Sequence, residues 1–388
     1  GIDQNTSIDG GKLITENGKL TGVLIDNATG LVSRVIPDPT KEEKISSLIQ
    51  GAENCYGVGL TSVADAGLGY KSIQLLDSLQ QAGEIDMQTY VMLSPTEKNF
   101  KEYVEEGVYN TGKMHIQSIK LFADGALGSR GACLLNPYSD DPDNLGFLVT
   151  AQEKLKKYAQ KAYDHNYQVN THAIGDSANR VVLNIYGDIL KENNDRRWRI
   201  EHAQVIHPDD FGLFAKYAVV PAVNTTHATS DMFWADERLG EDRLKHAYAY
   251  KDLLEQNGWL CNGSDFPVED INPLYGFYAA TVRKNLDGKP EDGFQMENAL
   301  SRKEALKAMT IWAAKSCFEE EHKGSIEIGK NADFVVTDMD IMKVEESEIP
   351  ETRVLKTFIK GKKVYEKKID RTLMTRISRI STDLLSVF

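Results

Sequence analysis

YQVNTHAIGDSANRVVLNIYGDILKENNDRRWRIEHA, residues 167–203, reads as a strand, a helix and a second strand. YQVNTHA (167–173) and RWRIEHA (197–203) are short runs rich in β-branched and aromatic residues. Between them, SANRVVLNIYGDILKEN (177–193) carries its apolar residues at helical spacing. Such a succession is one βα unit of a parallel sheet. The rhythm continues on both sides, through GLTSVAD (59–65), MQTYVML (87–93), HIQSIKLFADG (115–125), YAVVPAV (217–223) and WLCNGSD (259–265), which makes seven strand-like runs. Amphipathic helices separate them. In AQEKLKKYAQKAYDHN (151–166), Leu155, Tyr158, Ala159 and Ala162 fall along one face, and Ser301 with Glu304 forms a capping-box pattern opening SRKEALKAMTIWAAKSCF.

Seven is an awkward strand count, because a closed (β/α) barrel needs eight and a missing stave exposes two edges. Either the sheet is open and doubly wound, or the first strand belongs to sequence upstream. The opening GGKLITENGKLTGVLID (10–26) favours the second reading, since it resembles a β-hairpin begun within a domain. Residues 1–322 are therefore read as a (β/α) barrel incomplete at its N-terminus. From KGSIEIGKNADFVVTD (323–338) the pattern changes to short strands joined by glycine turns, so 323–368 is expected to form a small β-appendage. Residues 369–388 form a tail with the pattern of a basic amphipathic helix, and no role is assigned to it.

Composition narrows the function. With 388 residues, 41% of them hydrophobic and 27% charged, the chain is an ordinary globular protein. The formal net charge of −13 repels a nucleic-acid backbone, so DNA and RNA partners are discounted. No apolar run approaches the roughly 18 residues a bilayer crossing needs, so no membrane partner is expected. Four scattered cysteines without a C-x-x-C pair fit neither a disulfide framework nor a zinc ribbon. The first residues lack an export signal, and a cytoplasmic location is the expectation.

Four strand-like runs carry an ionisable residue near their C-terminal end: Lys120, His172, His202 and Asp265. In a parallel barrel those ends converge on one rim. His172 and His202 are 30 positions apart and His202 and Asp265 are 63, close to one and two βα units of roughly 30 residues. Neutral imidazoles and a carboxylate are ligands of Zn²⁺, and a set of two His and one carboxylate leaves a position open for water. A cation there lowers the pKa of that water to about 7 and polarises a carbonyl. A carboxylate beside it, with Asp265 the candidate, can take the proton and pass it on. Each residue also has a plain structural reading. A lone strand-end His is usually a satisfied structural residue, Asp265 in SDFP could cap a turn, and a lysine ammonium has no lone pair to offer a metal.

HIQSIKLFADGALGSRGA (115–132), QVNTHAIGDSANR (168–180), RIEHAQVIHPDD (199–210), VNTTHATSDMFWADERLGEDR (223–243), CNGSDFPVEDINPLYGFYAA (261–280) and KGSIEIGKNADFVV (323–336), in that order, resemble the metal-dependent amidohydrolase superfamily. More narrowly they are similar to its YtcJ-like (amidohydrolase 3) branch, which includes N-substituted formamide deformylases, over about Gly1 to Lys367. The resemblance implies an α/β fold, a distorted (β/α)8 TIM barrel with a small β-sandwich, and one or two divalent ions, zinc foremost, on the rim. It implies His172 and His202 as ligands, Asp265 as ligand and proton shuttle, and Lys120 at the position where two-metal members carry a carboxylated lysine. Arg130 and His227 fall in rim loops, either as substrate contacts or as loop-stabilising donors. Asp176 is read as a helix cap, and Glu201 as structural.

One departure is chemical. The superfamily's H-x-H on the first strand is missing: none of the eight histidines, at 115, 165, 172, 202, 207, 227, 246 and 322, forms such a pair. The resemblance then implies a chain that begins after that strand, and it leaves open whether this chain is active without the remainder. Open sheet edges would also favour a homo-oligomer. The leading expectation is a hydrolase that attacks the C–N bond of a small-molecule amide or formamide with metal-bound hydroxide. A mononuclear deaminase and a metal-free, non-catalytic barrel stay open beside it. Phe233, Trp234 and Phe266 near the presumed rim suit an apolar side group.

Overall fold

The structure, a computed structural model, describes residues 2–368 together with 386–387. It opens with the expected hairpin, β1 (Gly11–Glu16) paired antiparallel with β2 (Lys19–Asp26). Asn17 and Gly18 form its turn, both at positive φ (50° and 73°), the backbone that an Asn-Gly two-residue turn supplies at least cost.

Seven parallel strands follow: β3 (Ser62–Leu68), β4 (Gln88–Leu93), β5 (Met114–Phe122), β6 (Gln168–Ala173), β7 (Arg199–His202), β8 (Val220–Val223) and β9 (Cys261–Asn262). They pair in sequence order from β3 to β9, and a two-residue antiparallel strand, Tyr109–Asn110, leads into β5. Each expected run forms a strand; most are trimmed at their ends, while β3 runs on to Leu68 and β5 starts at Met114. No pairing joins β3 to β9 among the described residues, so the sheet is curled and open. Contacts across its concave face show the curl. Tyr90 of β4 donates its hydroxyl to Gln168 of β6 (3.0 Å), and Arg199 of β7 reaches Met92 of β4 (3.4 Å).

Helices pack on the convex side. The helix Asp176–Leu190 buries Ala178, Val182, Leu183, Ile185, Tyr186 and Ile189, one apolar stripe at 3.6-residue spacing. Tyr186 Oη spans the strand backbones, donating toward the carbonyls of Val169 (3.2 Å) and Arg199 (3.1 Å), and its ring meets Trp198 edge-on at 4.8 Å. The Ser301/Glu304 capping box is present, but the helix it opens stops at Ala308. Thr310, at φ −127° and ψ −98°, breaks the path before a second helix, Ile311–Ser316. Asp176 is not the cap of its helix. Gly175 occupies that place, and the Asp176 carboxylate instead accepts from the N–H groups of Leu135 (2.8 Å) and Ser177 (2.9 Å).

The C-terminal appendage is one antiparallel sheet: β10 (Phe334–Thr337), β11 (Val354–Ile359) and β12 (Lys362–Glu366), with Ser386–Val387 pairing on β10. The second layer of a sandwich is not found among the described residues. The sheet is fastened to the barrel by Thr357 Oγ1 donating to the Tyr56 carbonyl (2.7 Å) and Gln88 Nε2 donating to Asp333 (2.7 Å). The tail read over 369–388 lies outside the described residues apart from Ser386–Val387. No helix among the described residues is long and apolar enough to cross a membrane.

Candidate metal centre

Period-2 alternation decides which side chains face the hollow of the sheet. Lys120 and Phe122 on β5, Asn170 and His172 on β6, and Arg199 and Glu201 on β7 share that face, with Lys120 in register with Asn170 and His172 with Glu201. Alternation alone would send His202 outward. The backbone turns at that point, with φ 76° at His202 and 43° at Ala203, conformations that non-glycine residues adopt at some cost. The turn brings the His202 ring to 4.5 Å from the His172 ring, centroid to centroid, nearly edge-on at 74°.

Around this pair a continuous row forms. Lys120 Nζ lies 4.7 Å from the Phe122 ring, Phe122 is 5.7 Å from His172, and His227, on the helix Thr225–Asp231 after β8, stacks on His202 at 5.6 Å. His202 Nδ1 is held by the Asn224 side-chain oxygen (2.9 Å), whose amide nitrogen donates to the Gly263 carbonyl (3.0 Å). Asp124, just beyond β5, places Oδ1 3.6 Å from His172 Nε2.

Burial sets the electrostatics. Loss of solvent, reinforced by the Lys120 charge, pushes the His172 imidazole down to about 3, while the Gly125 backbone pulls weakly the other way. The His202 imidazole is driven well below its usual range, chiefly by desolvation and then by His172, Lys120 and His227. Desolvation lowers His227 to about 4. All three rings are therefore neutral at pH 7 and keep a lone pair. Lys120, only 4% exposed, is lowered by desolvation against the pull of Glu201 and Asp265. Desolvation raises the Asp265 carboxyl, with Lys120 opposing; the residue as a whole stands exposed on the rim while its carboxyl is crowded. Asp124 is raised to about 7 by burial, despite three backbone N–H donors.

The structure thus brings Lys120, His172, His202 and His227 together. Asp265 follows β9 at the same edge, with φ 58°. Among the described residues no three His, Cys, Asp or Glu side chains form a ready-made cation cluster, so Asp265 is not seated against the two imidazoles as a third ligand. Arg130 is engaged elsewhere: its guanidinium is bidentate on Asp140 (3.1 and 2.7 Å). Phe122, Asp124 and Asn224 escaped the sequence reading. For Phe122 the i, i+2 relation to Lys120 was the available signal. For Asp124 and Asn224 there was none, because their partners come from other strands.

Asp231 anchors the helix that carries His227, accepting from Tyr248 Oη (2.8 Å) and Gln204 Nε2 (3.3 Å). Desolvation raises it to about 6 from its ordinary 3.8. Between those values the folded chain keeps a proton that the unfolded chain has released, so this group's contribution is lost as pH rises through the window. Relative to Asp231→Asn, the wild type is expected to lose roughly 2–3 kcal/mol between pH 4 and 7, at about 1.4 kcal/mol per pKa unit. Urea unfolding of both chains at the two pH values tests this, and parallel pH profiles would refute it.

The family model described as the amidohydrolase family matches residues 1–365. The chain belongs to the amidohydrolase family. It is 31% identical over 376 residues to the putative amidohydrolase YtcJ of Bacillus subtilis (strain 168), covering 95% of this chain and 70% of that one. It is 24% identical over 369 residues to the N-substituted formamide deformylase of Arthrobacter pascens, covering 90% and 66%. An uncharacterized metal-dependent hydrolase from Pyrococcus horikoshii OT3 superposes with a TM-score of 0.72 at 28% identity, over 82% of this chain and 64% of its own. This amidohydrolase therefore spans about two thirds of the length of these relatives. The match agrees with the curled parallel sheet and with the (β/α)8-like architecture expected of it.

Proposed function

We propose that this amidohydrolase chain carries the catalytic face of a metal-dependent hydrolase of C–N bonds, acting on a small-molecule amide or formamide. The observation that carries the reading is the pair of neutral imidazoles, His172 and His202, with ring centroids 4.5 Å apart at the C-terminal edge of a parallel sheet. The donor types suit zinc: the two imidazoles, His172 and His202, would hold it, and the Asp265 carboxylate at the same edge, not seated against them in this structure, would complete a set that leaves a position open. A divalent ion held there would supply Lewis-acid activation of water and of the scissile carbonyl.

The chain's own residues do the rest. Asp265, its carboxyl raised by burial, takes a proton from the attacking water and delivers it to the leaving nitrogen as the C–N bond breaks. Lys120, held below the ordinary lysine range, has a neutral amine fraction that can add CO₂; the amine loses a proton and becomes a carbamate, an anionic ligand in place of a cation. Phe122, 45% exposed with its ring 5.7 Å from His172, offers an apolar wall to the substrate's side group, which the exposed Phe233 and Phe266 would extend. His227 Nε2, buried without a partner, would donate to the substrate carbonyl.

Metal analysis of the purified chain after zinc loading, followed by a screen of formamides and simple amides, tests the reading. Stoichiometric zinc and amine release are expected. A chain that binds no zinc and a loaded chain that releases no amine from any substrate would each sink it.

A further inference from the structure

We propose that Asp124 is a positioning residue that sets the ring orientation and tautomer of His172, leaving Nδ1 as the bare nitrogen that faces the site. The inference rests on the reading of His172 as a ligand and adds to it a residue from another strand. The Asp124 side chain is wholly buried. Its Oδ2 accepts from the backbone N–H groups of Cys133 (2.8 Å) and Gly175 (2.9 Å), and its Oδ1 from that of Ile174 (3.0 Å). Ile174 and Gly175 directly follow the end of β6, where His172 sits. One carboxylate therefore ties the rim loop after β5 to the tip of the neighbouring strand. The joint is tight: a Cβ on Gly175 would lie 2.0 Å from the Cys133 carbonyl oxygen.

His172 Nε2 is buried and has no hydrogen-bond partner within normal length; the Gly125 backbone is one acceptor beside the ring, and Asp124 Oδ1, the other, stands 3.6 Å from Nε2. That gap is a few tenths of an ångström beyond hydrogen-bond length, and a small rotation of the ring closes it. In its ionised form a carboxylate only accepts, so with Asp124 ionised the nitrogen facing it is the protonated one. A neutral amide oxygen would satisfy the Cys133 and Gly175 donors without a buried charge, but its nitrogen would then face the Ile174 N–H as well as His172. The second carboxylate oxygen, the one turned to His172, is what an amide could not provide. Asn224 treats His202 in the complementary way. Its amide nitrogen is committed to Gly263, its oxygen accepts from Nδ1, and Nε2 is left bare. The two rings thus offer opposite nitrogens, each oriented by a neighbour, an arrangement typical of metal-ligating histidines.

Long-range ¹H–¹⁵N spectra of the metal-free chain labelled at histidine read the tautomer directly, with the His172 signals identified by their loss in His172→Gln. The expected wild-type result is the Nε2–H form. In Asp124→Asn, the amide oxygen should stay with the N–H groups of Cys133 and Gly175. That turns the NH₂ group toward Nε2 and switches His172 to the Nδ1–H form. Zinc affinity, measured by competition with a chromophoric chelator, should fall about 10- to 100-fold. An Nδ1–H form in the wild type, or the same form in both chains, overturns the proposal. The wild-type spectrum alone decides if the variant fails to fold. If neither chain binds zinc, the hydrolase reading falls, while the tautomers still settle the role of Asp124.

Discussion

Glutamine in place of either His172 or His202 is expected to lower zinc affinity by about a hundredfold or more and to abolish hydrolysis of any amide the wild type turns over. The physical reason is the size of the donor set. The closest pair of imidazoles in this rim is His172 and His202, with His227 stacked on His202, and glutamine keeps a neutral polar side chain but has no basic ring nitrogen to offer. Removing a ligand must cost at least as much as removing a residue that merely orients one, for which 10- to 100-fold is typical. Stability should change little, since both rings are already neutral in the folded state and no charge is removed. Chelator competition gives the affinities and urea unfolding the control. Unchanged zinc affinity in both variants would move the metal to some other place on the chain.

Glu201→Ala is expected to destabilise the fold by about 3–5 kcal/mol, the cost of leaving a buried charge without its partner. Arg199 is 3% exposed in the hollow of the sheet, and its Nε donates to Glu201 at 2.7 Å. Without the carboxylate, Arg199 keeps only Ser316 Oγ (3.3 Å) and the sulfur atoms of Cys317 (3.8 Å) and Met92 (3.4 Å), none of them an anion. Replacing both partners together, with Arg199→Met and Glu201→Leu, should recover much of the loss because no orphaned charge remains. Denaturant midpoints of the three chains measure this. A single-variant loss below about 1 kcal/mol would show that solvent reaches Arg199. The same pair bears on the site, since Glu201 is one of the charges that oppose the lowering of Lys120.

Much of this was legible before folding. Side-chain periodicity is a local property, so the alternation in YQVNTHA and the helical spacing in SANRVVLNIYGDILKEN could be read along the chain, and both elements form where expected. The placement of Lys120, His172 and His202 at one edge followed from a topological rule, that parallel strands point their C-terminal ends the same way. Boundaries were less secure. Asp176 looked like a cap, but capping depends on which residue leaves the helical backbone, and that is Gly175, pressed against Cys133.

Local chemistry in the chain settles the strands, the helices, the family and which residues are able to ligate. Three-dimensional packing alone settles how those residues are set. His202 faces its partner because the backbone turns to positive φ there, and Arg130 is spent on Asp140. Asp124 meets His172 because β5 and β6 are neighbours. These outcomes depend on atoms dozens of residues apart and on the removal of water from around them, and neither is written in any short stretch of sequence.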